Sequence, residues 1–180
     1  MATNKRLLQW DILFFFVAIP LIFVQHFLYE FTGNARIAAI IGAANESVWE
    51  HMKIIFLPFL LVSIIIFFIA KPRFIRYFIA TTAGLFTIIV SMITIYYTYV
   101  GIIGQDILAV DILLSIFVLF LGFLVSYQLY TKWENADKYF GIFFIIFIVL
   151  SVLYIVFTLY PPQLPLFMDN TTKTYGIPSP

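Results

Sequence analysis

Five long apolar stretches, at about residues 7–30, 48–70, 74–100, 107–130 and 138–160, take up most of this chain. At about 1.5 Å of rise per residue, each is long enough to cross a hydrocarbon layer roughly 30 Å thick. They are rich in Phe, Ile and Leu without alternation at every second position, so their backbone groups pair within helices rather than between barrel strands. The expected fold is all-α, an integral membrane bundle of about five transmembrane helices. Composition points the same way: 63% of the 180 residues are hydrophobic and 11% charged, where ordinary soluble domains carry about a quarter charged residues. Residues 1–160 form the membrane domain in this reading, with 161–180 as a separate tail. The links at Lys71-Pro72-Arg73 and from Thr131 to Asp137 are short, which makes the helices they join antiparallel neighbours.

The same residues exclude several classes of function. A formal charge of +1 and the lack of any Lys/Arg-rich block remove the electrostatic basis for binding nucleic acid. The chain contains no Cys, so a metal would need His and carboxylate ligands. Lys5 and Arg6 precede the first apolar stretch as they would in a signal peptide, but the stretch is too long and lacks a small-residue cleavage site before Glu30. It reads as a retained helix.

Basic residues in short loops set the expected orientation. Lys5, Arg6, Lys71, Arg73, Arg76, Lys132 and Lys138 fall on one side, Arg36, Lys53 and Lys173 on the other. The expectation is a plasma-membrane protein with a cytoplasmic N-terminus and an extracytoplasmic tail. Residues 35–44 are apolar but too short to span, and a re-entrant helix and an interfacial one are both open.

This topology gathers Glu30, Glu46, Glu50, Asp106, Asp111 and Asp169 at the outer level, together with the only two histidines, His26 and His51. His26 and Glu30 are four residues apart and share a helix face about a turn from its end, where ionisable groups usually turn inward; snorkelling into lipid headgroups is the competing reading. In Asn45-Glu46-Ser47-Val48-Trp49-Glu50-His51-Met52-Lys53, Ser47 and Glu50 have the spacing of a capping box. A cap leaves Glu46 and His51 unexplained. Asp111 stands a turn inside the fourth stretch, opposite Tyr96, Tyr97 and Tyr99, and needs a partner there, either for catalysis or for a structural hydrogen bond between helices. In the tail, Leu166-Phe167-Met168 calls for burial and Asp169-Asn170 suits a turn. A lid that carries Asp169 to the site is one reading and a loose terminus the other.

The run Asn45-Glu46-Ser47-Val48-Trp49-Glu50-His51 and the tail Pro165-Leu166-Phe167, Asp169 and Thr174-Tyr175-Gly176-Ile177 resemble a bacterial family of small multi-pass membrane proteins known only as a domain of unknown function. The resemblance covers most of the chain. It implies a bacterial plasma membrane and brings no activity, substrate or cofactor.

Three functional readings follow. In the first, His26, His51 and a carboxylate such as Glu30 hold Zn²⁺, with Glu46, Glu50 and Asp111 as catalytic carboxylates and Asn45, Tyr97 and Asp169 as supporting or lid residues. Such a site would hydrolyse a lipid or envelope substrate, although no H-E-x-x-H spacing is present. In the second, the carboxylates collect a cation or small amine for binding or transport. The polar residues available toward the inner side, mainly Thr81, Thr82, Ser126 and Asp11, make a thin path. In the third, the chain is a non-catalytic accessory subunit. The lipid bilayer is the common partner, with a lipid-like or small cationic ligand at the outer leaflet, and the oligomeric state stays open.

Overall fold

The described residues form six α-helices: α1 (Ala2–Phe31), α2 (Arg36–Ile41), α3 (Val48–Ala70), α4 (Phe74–Ile103), α5 (Leu108–Lys132) and α6 (Phe140–Leu159). They are seen in a computed structural model that describes residues 2–178. Turns of 3₁₀ helix at Ala136–Tyr139 and Pro165–Phe167 complete the set, and among the described residues there is no strand beyond one isolated bridge, Met168 to Tyr175. Five helices are long and apolar enough to cross a membrane, all but α2. The expected boundaries hold to within a few residues. The largest differences are that α1 begins before residue 7 and α4 runs on to Ile103, where Gly104 at φ 87° ends it with a left-handed cap.

Helix α3 is the centre of the bundle, with Ile55, Phe59, Val62 and Ile66 all fully enclosed. Around it α4 and α5 cross at very short range through Gly84 and Gly122. A Cβ on Gly84 would lie 2.7 Å from the Gly122 carbonyl oxygen and 2.7 Å from the Phe59 ring, the close approach that small residues permit between membrane helices. Helix α6 is peripheral: of its 20 residues only Thr158 is buried. Its exposed Ile, Val and Phe face is a surface suited to lipid rather than water.

The short segment between α1 and α3 is docked on the bundle. Gly42 brings it against α1 so closely that a Cβ there would sit 2.6 Å from the Gln25 carbonyl oxygen, and the Ala43 amide donates to that same oxygen at 3.2 Å. Ala38 and Ala39 are buried while Arg36 and Ile37 are exposed. The Tyr154 hydroxyl of α6 donates to the Ile40 carbonyl at 2.8 Å. Regular helix covers only 36–41 of the apolar 35–44, because extended backbone at Gly42 turns the chain toward α3.

The tail is packed. Phe167 is buried against Trp49 and Phe157, with ring centroids 5.2 and 5.0 Å away. Asp169 and Thr174 close a small hairpin, the Asp169 amide donating to the Thr174 carbonyl and the Lys173 amide to the Asp169 carbonyl, each at 2.9 Å.

A histidine and carboxylate cluster as candidate functional site

The link into α3 is held from three directions. Ser47 is the N-cap, its Oγ accepting from the Glu50 amide at 3.3 Å. Asn45 Oδ1 accepts from the Ser47 amide at 2.9 Å, and Asn45 Nδ2 donates to the Gly176 carbonyl at 2.8 Å. Asp169 Oδ2 accepts from the Glu46 amide at 3.4 Å, and Oδ1 accepts from the amides of Thr171 and Thr172 at 2.7 and 2.9 Å. Burial pushes the Asp169 carboxyl up, but these N–H groups outweigh it and hold the carboxyl below its usual range. The tail thus braces the residue that carries the central carboxylate.

Glu46 reaches between two histidines. Its Oε1 lies 3.7 Å from His26 Nε2 on α1, and its Oε2 lies 3.5 Å from His51 Nε2 on α3. The imidazole centroids are 5.4 Å apart, and one ligand atom from each of the three residues lies within 4.8 Å of the others. His51 Nδ1 is 2.9 Å from the Ser47 carbonyl oxygen. A carbonyl can only accept, so Nδ1 carries a hydrogen and donates, which leaves Nε2 facing Glu46. Both Nε2 distances exceed the roughly 2.7–2.9 Å of a charge-assisted hydrogen bond. Two imidazoles and a carboxylate at this range form a group that could hold a metal ion.

Two cavities meet at this cluster. One, of about 200 Å³, lies between α1, α3 and α5 and is walled by Ile22, Phe23, Ile54, Ile112 and Ile116, with His26, His51 and Asp111 at its polar edge. The other, of about 130 Å³, is lined by Glu46, His51, Tyr96, Asp106, Asp111 and Asn170. His51, Asp111 and Leu108 border both. Asp111 Oδ1 accepts a hydrogen bond from the Tyr99 hydroxyl, and Asn170 Nδ2 donates to the Tyr96 hydroxyl at 2.7 Å.

The model of a family described as of unknown function, DUF6512, matches residues 3–177. The chain belongs to this family. No curated protein and no solved structure matches it. In this DUF6512 chain both stretches that carried the resemblance, 45–51 and 165–177, meet at the cluster through the Asn45–Gly176 and Glu46–Asp169 contacts.

The residues singled out from the DUF6512 sequence fall into distinct places. His26, His51 and Glu46 converge, with Asp111 on the same cavities. Glu30 is exposed near the end of α1 and stands outside the group of three. Glu50 is buried and points away from the histidines: its Oε2 accepts from the Ala44 amide at 2.7 Å and pairs with Lys53 Nζ at 2.9 Å. The capping box is therefore half formed. The reciprocal bond from Glu50 to the Ser47 amide is replaced by Asn45, because Lys53 and Ala44 hold the Glu50 carboxylate elsewhere. Asn45 and Asp169 brace the link. Tyr97 is exposed, whereas Tyr96 and Tyr99, three residues apart and so on one helix face, engage Asn170 and Asp111. That spacing was visible in the sequence. The Ser47 carbonyl and Asn170 had no comparable signal, since a backbone acceptor and a tail amide gain their roles only through docking.

Proposed function

We propose that this chain is a metal-dependent hydrolase, with the ion held by His26, Glu46 and His51 at the extracytoplasmic end of a membrane bundle. The observation that carries this reading is the bond from His51 Nδ1 to the Ser47 carbonyl, which aims Nε2 at Glu46. Metal-binding histidines are commonly oriented in this way by the partner of their other nitrogen. Each of the three residues can offer one ligand atom within 4.8 Å of the others, somewhat wider than the roughly 3.3–3.6 Å between two ligands of a tetrahedral ion, so the side chains would close in on the ion. Two imidazoles and one carboxylate suit Zn²⁺ and leave a fourth position for water.

Asp111 is the proton carrier in this scheme, with Tyr99 holding Oδ1. An ion held there would supply an acidified water as nucleophile; Asp111 would take that water's proton as the oxygen adds to the substrate carbonyl carbon, and would return it to the oxygen or nitrogen that leaves when its bond to that carbon breaks. The extracytoplasmic placement rests on the excess of Lys and Arg at the opposite ends of the helices.

A second reading is a binding site for a small cation or amine, favoured by a cavity lined by Glu46, Asp106 and Asp111 and by no Lys or Arg. Metal analysis separates the two. Mass spectrometry of protein purified without chelator should find near-stoichiometric zinc that is lost in a His26→Ala/His51→Ala double variant. No metal in either sample, even after reloading with zinc, overturns the hydrolase and leaves the amine site.

A further inference from the structure

The two cavities at the cluster differ in chemistry and share an edge, and this pairing has the shape of an amphiphile. The larger is walled by hydrocarbon side chains of α1, α3 and α5. Phe23, Phe27 and Ile112 border it while remaining substantially exposed on the outside of the bundle, so it opens sideways between α1 and α5. An opening at that position faces lipid and admits a chain from the bilayer without passage through water. The smaller cavity is mixed, with Val48, Met92 and Leu108 beside its polar residues, and its acidic groups carry the charge argument. Glu46, Asp106 and Asp111 supply three negative charges, and no Lys or Arg lines the space. A divalent ion on the histidines leaves a surplus of one negative charge, and without the ion the surplus is larger. A phosphate head would meet repulsion there, whereas an ammonium head would be attracted.

We infer that the ligand of this site is an amphiphile with a hydrocarbon tail in the cavity between α1, α3 and α5 and an amine-bearing head among Glu46, Asp106 and Asn170. The bond between head and tail then lies at the shared edge, beside His51 and Asp111. Resting on the hydrolase reading for its chemistry, this makes the substrate an acyl ester or amide of a small amine-bearing head. Water adds across the acyl bond, and the products are a long-chain carboxylate and the free head group, an alcohol from the ester or an amine from the amide.

The test uses the full chain in nanodiscs of zwitterionic lipid and a hexadecylamine probe with a photoreactive diazirine in its chain. Labelled peptides are mapped by mass spectrometry, and unlabelled hexadecylamine, hexadecanol and hexadecyl phosphate serve as competitors. Labelling is expected on residues 19–27 of α1 and 108–116 of α5, with the amine competing at about tenfold lower concentration than the phosphate. Asp106→Asn should narrow that preference. Ile112→Trp should fill the tail cavity and remove the labelling while bound metal stays unchanged, and Ile116→Trp replaces it if that variant does not fold. Equal or better competition by the phosphate, or labelling spread over the lipid-facing helices and insensitive to both tryptophans, overturns the inference; retained zinc would then leave the metal centre standing. Amine-selective labelling in a protein that binds no metal upholds the pocket and removes the hydrolase.

Discussion

The segment entering α3 has two sides, and they treat similar residues in opposite ways. Toward α2 and α6, Glu50 and Lys53 form a closed pair: the lysine is 1% exposed, bonds Glu50 at 2.9 Å and donates to the Ala39 carbonyl at 2.7 Å. Toward α1 and α5, Glu46 faces two imidazoles at 3.5 and 3.7 Å with its side chain 51% exposed. One carboxylate is fully paired inside the protein, and the other is half exposed between two imidazoles. The first fastens the segment and the second is placed by it, although the two acids sit only four residues apart.

Breaking the closed side should have the largest effect. Lys53→Met leaves Glu50 buried without its cation and should cost about 3–5 kcal/mol, read as a fall in thermal-unfolding midpoint. The Glu50→Gln/Lys53→Met double variant should recover part of this loss. Glu46→Gln, on the open side, should change stability by less than about 1 kcal/mol while abolishing metal retention. Comparable destabilisation by Lys53→Met and Glu46→Gln would erase the distinction between the two sides.

Gly42 tests whether docking of the segment positions the open side. Its substitution by Ala forces a Cβ to 2.6 Å from the Gln25 carbonyl oxygen and should cost about 1–3 kcal/mol. Metal affinity should fall with it, as measured by zinc competition with a fluorescent chelator. Unchanged affinity would mean that His26 and Glu46 meet without this contact.

A smaller effect than at Gly42 is expected at the tail. The Asp169 carboxyl is held below the ordinary value of about 3.9 by backbone amides. Its contribution is therefore complete above that value and is lost as the pH falls through the lower folded-state value. Asp169→Asn should cost about 1 kcal/mol at neutral pH and flatten the acid limb of the stability profile below about pH 4. An acid limb unchanged by the substitution would assign that limb to other carboxylates.

The helices that span were legible because hydropathy over some twenty residues is a local property. Convergence of His26 and His51 was legible as a common level in the bundle, with no distance attached. Which carboxylate joins them was hidden. Glu30 shares a face with His26 by spacing, but it lies at the exposed end of α1 while Glu46 is carried in by the link. Ser47 and Glu50 have capping-box spacing, yet Lys53 and Ala44 draw the Glu50 carboxylate away. Tyr97 and Tyr99 are equivalent in composition and differ only in which one faces Asp111.

By itself the sequence determined an all-helical chain with five long apolar helices and one end rich in His and acid, because these follow from runs of side chains along a single helix. Only the tertiary structure decided that Glu46 faces the histidines, that Glu50 is tied to Lys53, and that an apolar and a mixed cavity share an edge at His51 and Asp111. Each of these depends on how α2 and the tail pack against helices distant in sequence, and side-chain partners across such gaps are selected by packing rather than by local propensity.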